Sequence, residues 1–131
     1  MTASVLDGVR DLLPTLRERA EETERLRVVP EASVKGLEST GFFRLLQPRR
    51  FDGFEADPVD FYTAVKEIAG ACGSTGWVSS VVGVHPWQVA LFPDEAQQAV
   101  WGEDTSTRLS SSYAPTGSVM PGGGVPPSTW S

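Results

Sequence analysis

A chain of 131 residues, 40% hydrophobic and 21% charged, has the length and composition of one globular domain with a core of its own. Its net charge of −6, from 17 acidic against 11 basic residues, argues against a nucleic-acid partner and against an anionic membrane surface. One cysteine and one histidine exclude an internal disulfide and make a metal site unexpected. No apolar run approaches the roughly 20 residues of a membrane span. No basic-then-apolar leader opens the chain, so a cytoplasmic protein is expected.

Val5, Val9, Leu12, Leu13, Leu16 and Ala20 recur at steps of three and four, the apolar stripe of an amphipathic helix. Pro14 lies inside it and predicts a kink or break near Leu13. Mixed charges over 21–27 read as a solvated face. A second helix is expected from Pro30 or Glu31, since proline suits a first turn, to a stop at Gly41. Phe42, Phe43, Leu45 and Leu46 then supply apolar bulk before a loop over 47–56. Asp57-Pro58 reads as a cap and first helical residue. The helix behind it carries Phe61, Val65 and Ile68 and ends near Gly70 or Gly73. Ser74 is expected to cap a further helix with Trp77, Val78, Val81, Val82 and Val84. This segment is rich in β-branched residues, but it does not alternate strictly, which favours helix over strand. Pro86 should interrupt it. Pro93 and Asp94 open a short helix to about Trp101, and 108–113 reads as a short extended segment. Residues 114–131 hold four Gly, four Pro and no charge, which leaves little chance of a regular element. The expected fold is all-α, five or six helices over 1–113, followed by an irregular tail over 114–131.

The chain contains no dinucleotide fingerprint, P-loop, zinc-protease motif or Cys-x-x-Cys pair. No nucleophile elbow is visible for a serine triad. Gly122-Gly123-Gly124 is not followed by a helix and does not read as a phosphate cradle. His85, the one imidazole, suits a general base or a substrate ligand at neutral pH. The plainer reading is a helix-end histidine with an ordinary hydrogen bond. Trp77 lies eight residues earlier, about 12 Å along a helix. With similar facing, the two span a flat aromatic ligand; the plainer reading is a core tryptophan. Ser110, Ser111, Ser112 and Tyr113 line up hydroxyls and backbone N–H groups for the polar edge of a heterocycle, or form a polar loop. Arg108 suits an anion or, more commonly, a surface ion pair. Cys72 reads as a small buried apolar residue.

Three segments carry a resemblance: Gly41-Phe42-Phe43-Arg44-Leu45-Leu46-Gln47-Pro48, Cys72-Gly73-Ser74-Thr75-Gly76-Trp77-Val78-Ser79-Ser80, and Trp101-Gly102-Glu103-Asp104 through Ser110-Ser111-Ser112-Tyr113-Ala114-Pro115. Over about 12–117 the chain resembles the oxygenase component of two-component flavin-dependent monooxygenases, a family with the acyl-CoA dehydrogenase fold. The nearest likeness is to actinobacterial members that hydroxylate a phenolic secosteroid. The resemblance implies the N-terminal helical domain of that fold. It implies reduced flavin, FMN or FAD, delivered by a separate flavin reductase, and hydroxylation of a phenolic small molecule by O2 in a homo-oligomer. It places Trp77 beside the flavin ring, Ser110, Ser111, Ser112 and Tyr113 along the flavin edge, and His85 facing the substrate pocket.

Full members of the family are longer and continue into a β-barrel and a C-terminal helical bundle, so the resemblance implies a truncated oxygenase that is not active alone. Val125-Pro126-Pro127 read one base later permits Tyr-Arg-Leu, which would resemble the family's approach to its β-domain. A change of frame near Gly124 is therefore expected. Two other readings compete. An acyl-CoA dehydrogenase proper typically carries Thr-Glu-Pro followed by Gly-Ser-Asp at the flavin edge, which 110–117 lacks. A non-enzymatic helical module or remnant would leave apolar helix faces exposed.

Overall fold

The first apolar stripe folds into α1 (Thr2–Glu18) and buries Val5, Val9 and Leu16, in a computed structural model that describes residues 2–111 and 114–118. Pro14 does not break it, contrary to the sequence expectation. Its side chain is exposed, so the ring meets solvent and the loss is confined to one backbone rung, which the packed stripe outweighs. The interruption comes at Arg19, before α2 (Ala20–Leu26). Arg27, in the left-handed region at φ 56°, ends α2.

α3 (Glu31–Thr40) starts after Pro30 and stops at Gly41, as the sequence indicates. Gly41 sits at φ 89°, and a Cβ there would lie 2.9 Å from the Phe54 ring, so both backbone and space demand glycine. A 3-10 turn at Phe42–Arg44 follows and buries Phe42 and Phe43. The loop over 47–56 includes a second 3-10 turn, Arg49–Phe51. It is tied down by the buried Gln47, whose Nε2 donates to the carbonyls of Phe51 (2.5 Å) and Thr105 (2.8 Å).

α4 (Pro58–Ala71) opens on the expected cap: the Asp57 carboxylate accepts from the Val59 N–H at 2.8 Å. Phe61, Ala64 and Ile68 form its buried face. α5 (Gly73–Ala90) corrects two expectations. Ser74 is not its cap: the helix begins after an extended Cys72, and the Ser74 hydroxyl donates to the Glu24 carboxylate on α2. Nor does Pro86 interrupt it, for its ring is buried within a helix that continues to Ala90. Packing holds the helix across the missing rung.

α4 and α5 approach almost backbone to backbone. A Cβ on Gly76 would stand 2.6 Å from the Ala69 Cα, and one on Gly83 would stand 2.5 Å from the Phe61 ring. Up to Gly83 the buried residues of α5 are accordingly small, Thr75, Gly76, Ser79 and Gly83; His85, Pro86 and Val89 follow toward its end. Its bulky Trp77, Val78 and Trp87 point outward. α6 (Asp94–Trp101) is the expected short helix and buries Trp101 against Phe51 at 5.3 Å between ring centroids. Gln97 clamps the α5–α6 turn, donating to the carbonyls of Ala90 (3.1 Å) and Phe92 (2.8 Å).

The described residues thus form six α-helices and two 3-10 turns and no strand, an all-α fold of the number expected. The extended segment expected over 108–113 forms no strand in its described part, 108–111. Ser112, Tyr113, the glycine run and the expected frame change near Gly124 lie outside the described residues.

Candidate functional site

α5 positions both aromatic candidates, and it does not aim them alike. Eight residues at 3.6 per turn rotate the helix by about 80° beyond whole turns. Trp77 is 69% exposed, whereas His85 is 7% exposed. The expectation of one flat ligand lying across both on a shared face is therefore corrected: the two side chains sit on different faces. The plainer reading of Trp77 as a core residue fails as well. Its indole is out because the inward positions of α5 are reserved for small residues by the close α4 contact.

Trp77 borders an open groove of about 720 Å³ between the end of α2 and the start of α5, with Glu24, Arg27, Val28, Ser74 and Val78 along its walls. The Ser74–Glu24 hydrogen bond spans its base. An exposed indole beside apolar Val28 and Val78 suits a flat heterocycle, and the Arg27 guanidinium suits an anionic group. The residues present therefore fit a flavin, with stacking from Trp77 and charge from Arg27.

His85 is buried at the flank of the same helix. Its Nδ1 lies 2.8 Å from Gln88 Oε1, one turn on. Its Nε2 is inaccessible to solvent and has no hydrogen-bond partner among the described residues. A buried polar nitrogen left bare carries a desolvation cost, and such atoms call for an explanation. Ser110 and Ser111 are exposed, while Ser112 and Tyr113 lie outside the described residues. Arg108 takes the commoner role, pairing with Glu38 at 3.1 Å and lying 5.4 Å over the Phe43 ring. Cys72 is buried, with the Thr75 hydroxyl 3.2 Å from its sulfur.

Three features escape a reading by sequence alone. Gln88 is the partner of His85, and its i,i+3 spacing was available as a signal. Gln47 joins the 47–56 loop to Thr105 across 58 residues, which no local pattern announces. Asp104 organises the turn before the serine run: its carboxylate accepts from the Ser106 hydroxyl (2.6 Å) and N–H (2.9 Å). Those two bonds, the hydroxyl first, hold its pKa below the usual carboxylate range, with a smaller contribution from the Arg44 charge. The described residues hold no group of three His, Cys, Asp or Glu side chains that could bind a metal, and no helix long and apolar enough to cross a membrane.

Residues 3–107 match the acyl-CoA dehydrogenase N-terminal domain family. The chain is 61% identical over 121 residues to the oxygenase subunit HsaA, a flavin-dependent monooxygenase of Rhodococcus jostii (strain RHA1), covering 91% of this chain and 32% of that protein. It superposes on the crystal structure of the HsaA monooxygenase from M. tuberculosis with a TM-score of 0.85 at 55% identity, over 88% of this chain and 32% of that one. XiaF from Streptomyces sp., solved in complex with FADH2 and glycerol, superposes with a TM-score of 0.72 at 25% identity, over 79% of this chain and 26% of that one. The chain spans about a third of the length of these curated relatives. The chain belongs to the acyl-CoA dehydrogenase N-terminal domain family, and within it resembles the oxygenase subunits of flavin-dependent monooxygenases.

Proposed function

We propose that residues 1–113 are the N-terminal helical domain of a cytoplasmic, homo-oligomeric oxygenase that takes reduced FMN or FAD from a separate reductase. The oxygenase hydroxylates a phenolic, secosteroid-like substrate with O2. The chain is not active alone, and 114–131 stands outside the domain. The exposed Trp77 indole, bordering an open groove together with Arg27, carries this reading; the bare, enclosed Nε2 of His85 meets the phenol hydroxyl in a pocket that the rest of the subunit completes.

Reduced flavin, when bound, supplies the two electrons that divide O2 between the hydroxylated product and water. Trp77 offers its exposed face to the flavin ring. Ser110, Ser111, Ser112 and Tyr113 supply hydroxyls and N–H groups to the ring's polar edge. His85 accepts the phenol's hydrogen bond and draws its proton, which enriches the ortho carbon in electron density where oxygen is to be delivered. The outward apolar residues Trp87, Leu91 and Phe92 offer a surface for the rest of an oxygenase subunit to cover.

A chimera tests the reading: residues 1–118 of this chain replace the matching segment of the R. jostii relative, and the product is assayed with reduced flavin, O2 and a phenolic secosteroid. The folded chimera hydroxylates the phenol, the 131-residue chain alone does not, and His85→Leu in the chimera lowers hydroxylation by about 10²-fold or more, the usual contribution of a positioned acid–base group. A folded chimera that oxidises reduced flavin without hydroxylating the phenol, or that is indifferent to His85→Leu, sinks the reading.

A further inference from the structure

We propose that Gln88 is a positioning residue: its carboxamide oxygen holds His85 as the Nδ1–H tautomer, so that the buried Nε2 carries a lone pair and receives a hydroxyl donor. Two observations and the chemistry of a neutral imidazole lead there. Gln88 Oε1 stands 2.8 Å from His85 Nδ1, and a carboxamide oxygen only accepts, so this orientation of the amide puts the proton on Nδ1. A neutral imidazole carries one N–H, so Nε2 is then an acceptor. Nε2, like Trp101 Nε1, is a buried side-chain nitrogen with no hydrogen-bond partner among the described residues.

The assignment has a chemical consequence for the ligand. An acceptor nitrogen selects a group that brings its own proton, a phenol or alcohol, and disfavours an ether or ester oxygen at that spot. The opposite tautomer would turn the same nitrogen into a donor and invert the preference. Histidine free in water favours the proton on Nε2, so the tautomer here is imposed by its neighbour. Gln88 itself is exposed, one turn along α5 from the imidazole, and its amide reaches back to fix a ring that is otherwise enclosed. Identification of the ligand as a phenol rests on the function proposed above; the tautomer does not.

His85 is the sole histidine of the chain, so a long-range ¹H–¹⁵N correlation spectrum of the ¹⁵N-histidine-labelled 131-residue protein reports on it without ambiguity. The spectrum is taken at the alkaline end of a pH series, where the pattern no longer changes with pH and the neutral ring is read. Wild type shows a pyrrole-like Nδ1 and a pyridine-like Nε2. Gln88→Glu, which keeps an acceptor at the same place, preserves that pattern. Gln88→Leu lowers the Nδ1–H to Nε2–H ratio by about fivefold, the effect of losing one neutral hydrogen bond.

A wild-type ring protonated on Nε2 overturns the proposal, as does a folded Gln88→Leu protein with an unchanged ratio. Should Gln88→Leu fail to fold, the wild-type and Gln88→Glu spectra still decide, because a ring not held by this contact shows the solution preference in both. The chimera assay can fail while the tautomer stands, and the tautomer can fail while the chimera hydroxylates, so the two ideas are separable.

Discussion

Asp104 illustrates how much of this chain's behaviour is set by single short-range contacts. Its carboxylate is held below the usual range by the Ser106 hydroxyl and N–H. A depressed folded-state pKa contributes stability above the unfolded value of about 3.9 and loses it as pH falls through the folded value. Ser106→Ala removes the larger of the two bonds. The Asp104 carboxyl carbon, followed by NMR, should then titrate closer to 3.9 than in wild type; an unchanged titration would assign the shift to the Ser106 N–H and the Arg44 charge instead. Asx turns of this kind are legible in a sequence only as a polar run, since the donor that fills the carboxylate is a matter of geometry. The same holds for His85 and Trp77. Their presence on one helix and the 80° offset of eight positions were readable, but which of the two faces inward was not, because that depends on where α4 closes on Gly76 and Gly83.

Those glycines set the prediction that belongs to the helices. Gly83→Ala places a methyl group 2.5 Å from the Phe61 ring and 3.2 Å from Phe42, and overpacking of this kind costs roughly 1–3 kcal/mol. Gly70→Ala meets nothing within 4 Å near the end of α4 and should instead stabilise by about 0.5–1 kcal/mol through helix propensity. Urea denaturation of the pair checks both signs at once; a destabilised Gly70→Ala or a neutral Gly83→Ala would mean the α4–α5 approach is looser than described. Pro14→Ala restores an N–H in a helix that already runs through the site and should raise the unfolding midpoint by an amount equivalent to about 1–3 kcal/mol. Helices with strong local signals were legible in order and nearly in boundary. Asp57-Pro58 announced α4, Gly41 announced the end of α3, and Pro93 announced α6. The two errors of continuity, at Pro14 and Pro86, share a cause: proline removes one rung, and tertiary packing of the flanking turns is worth more than a rung.

At the scale of the whole molecule the notable property is an apolar outer surface. Trp77, Val78, Trp87, Leu91 and Phe92 are all exposed, whereas a monomer normally breaks up such area. The isolated chain is expected to self-associate. Sedimentation velocity should show the weight-average mass rising with concentration, and Trp87→Glu together with Leu91→Glu should return it toward 14.1 kDa; a wild type monomeric throughout would contradict the exposure of that face. This surface also accounts for what composition could not reveal. An all-α fold follows from periodicity, but the flavin reading came from the run of residues around Trp77 and before Ala114, whose meaning lies in a likeness rather than in any spacing rule.

The proposed function puts reduced flavin in the groove beside Trp77. Anaerobic titration of the purified 131-residue chain and of Trp77→Ala with reduced FMN and reduced FAD tests it most directly. Saturable binding is predicted, weakened about 5- to 100-fold in Trp77→Ala, as expected for a lost aromatic stacking contact of about 1–3 kcal/mol. A soluble, folded chain that binds neither flavin, or binds it equally well without the indole, would contradict the account.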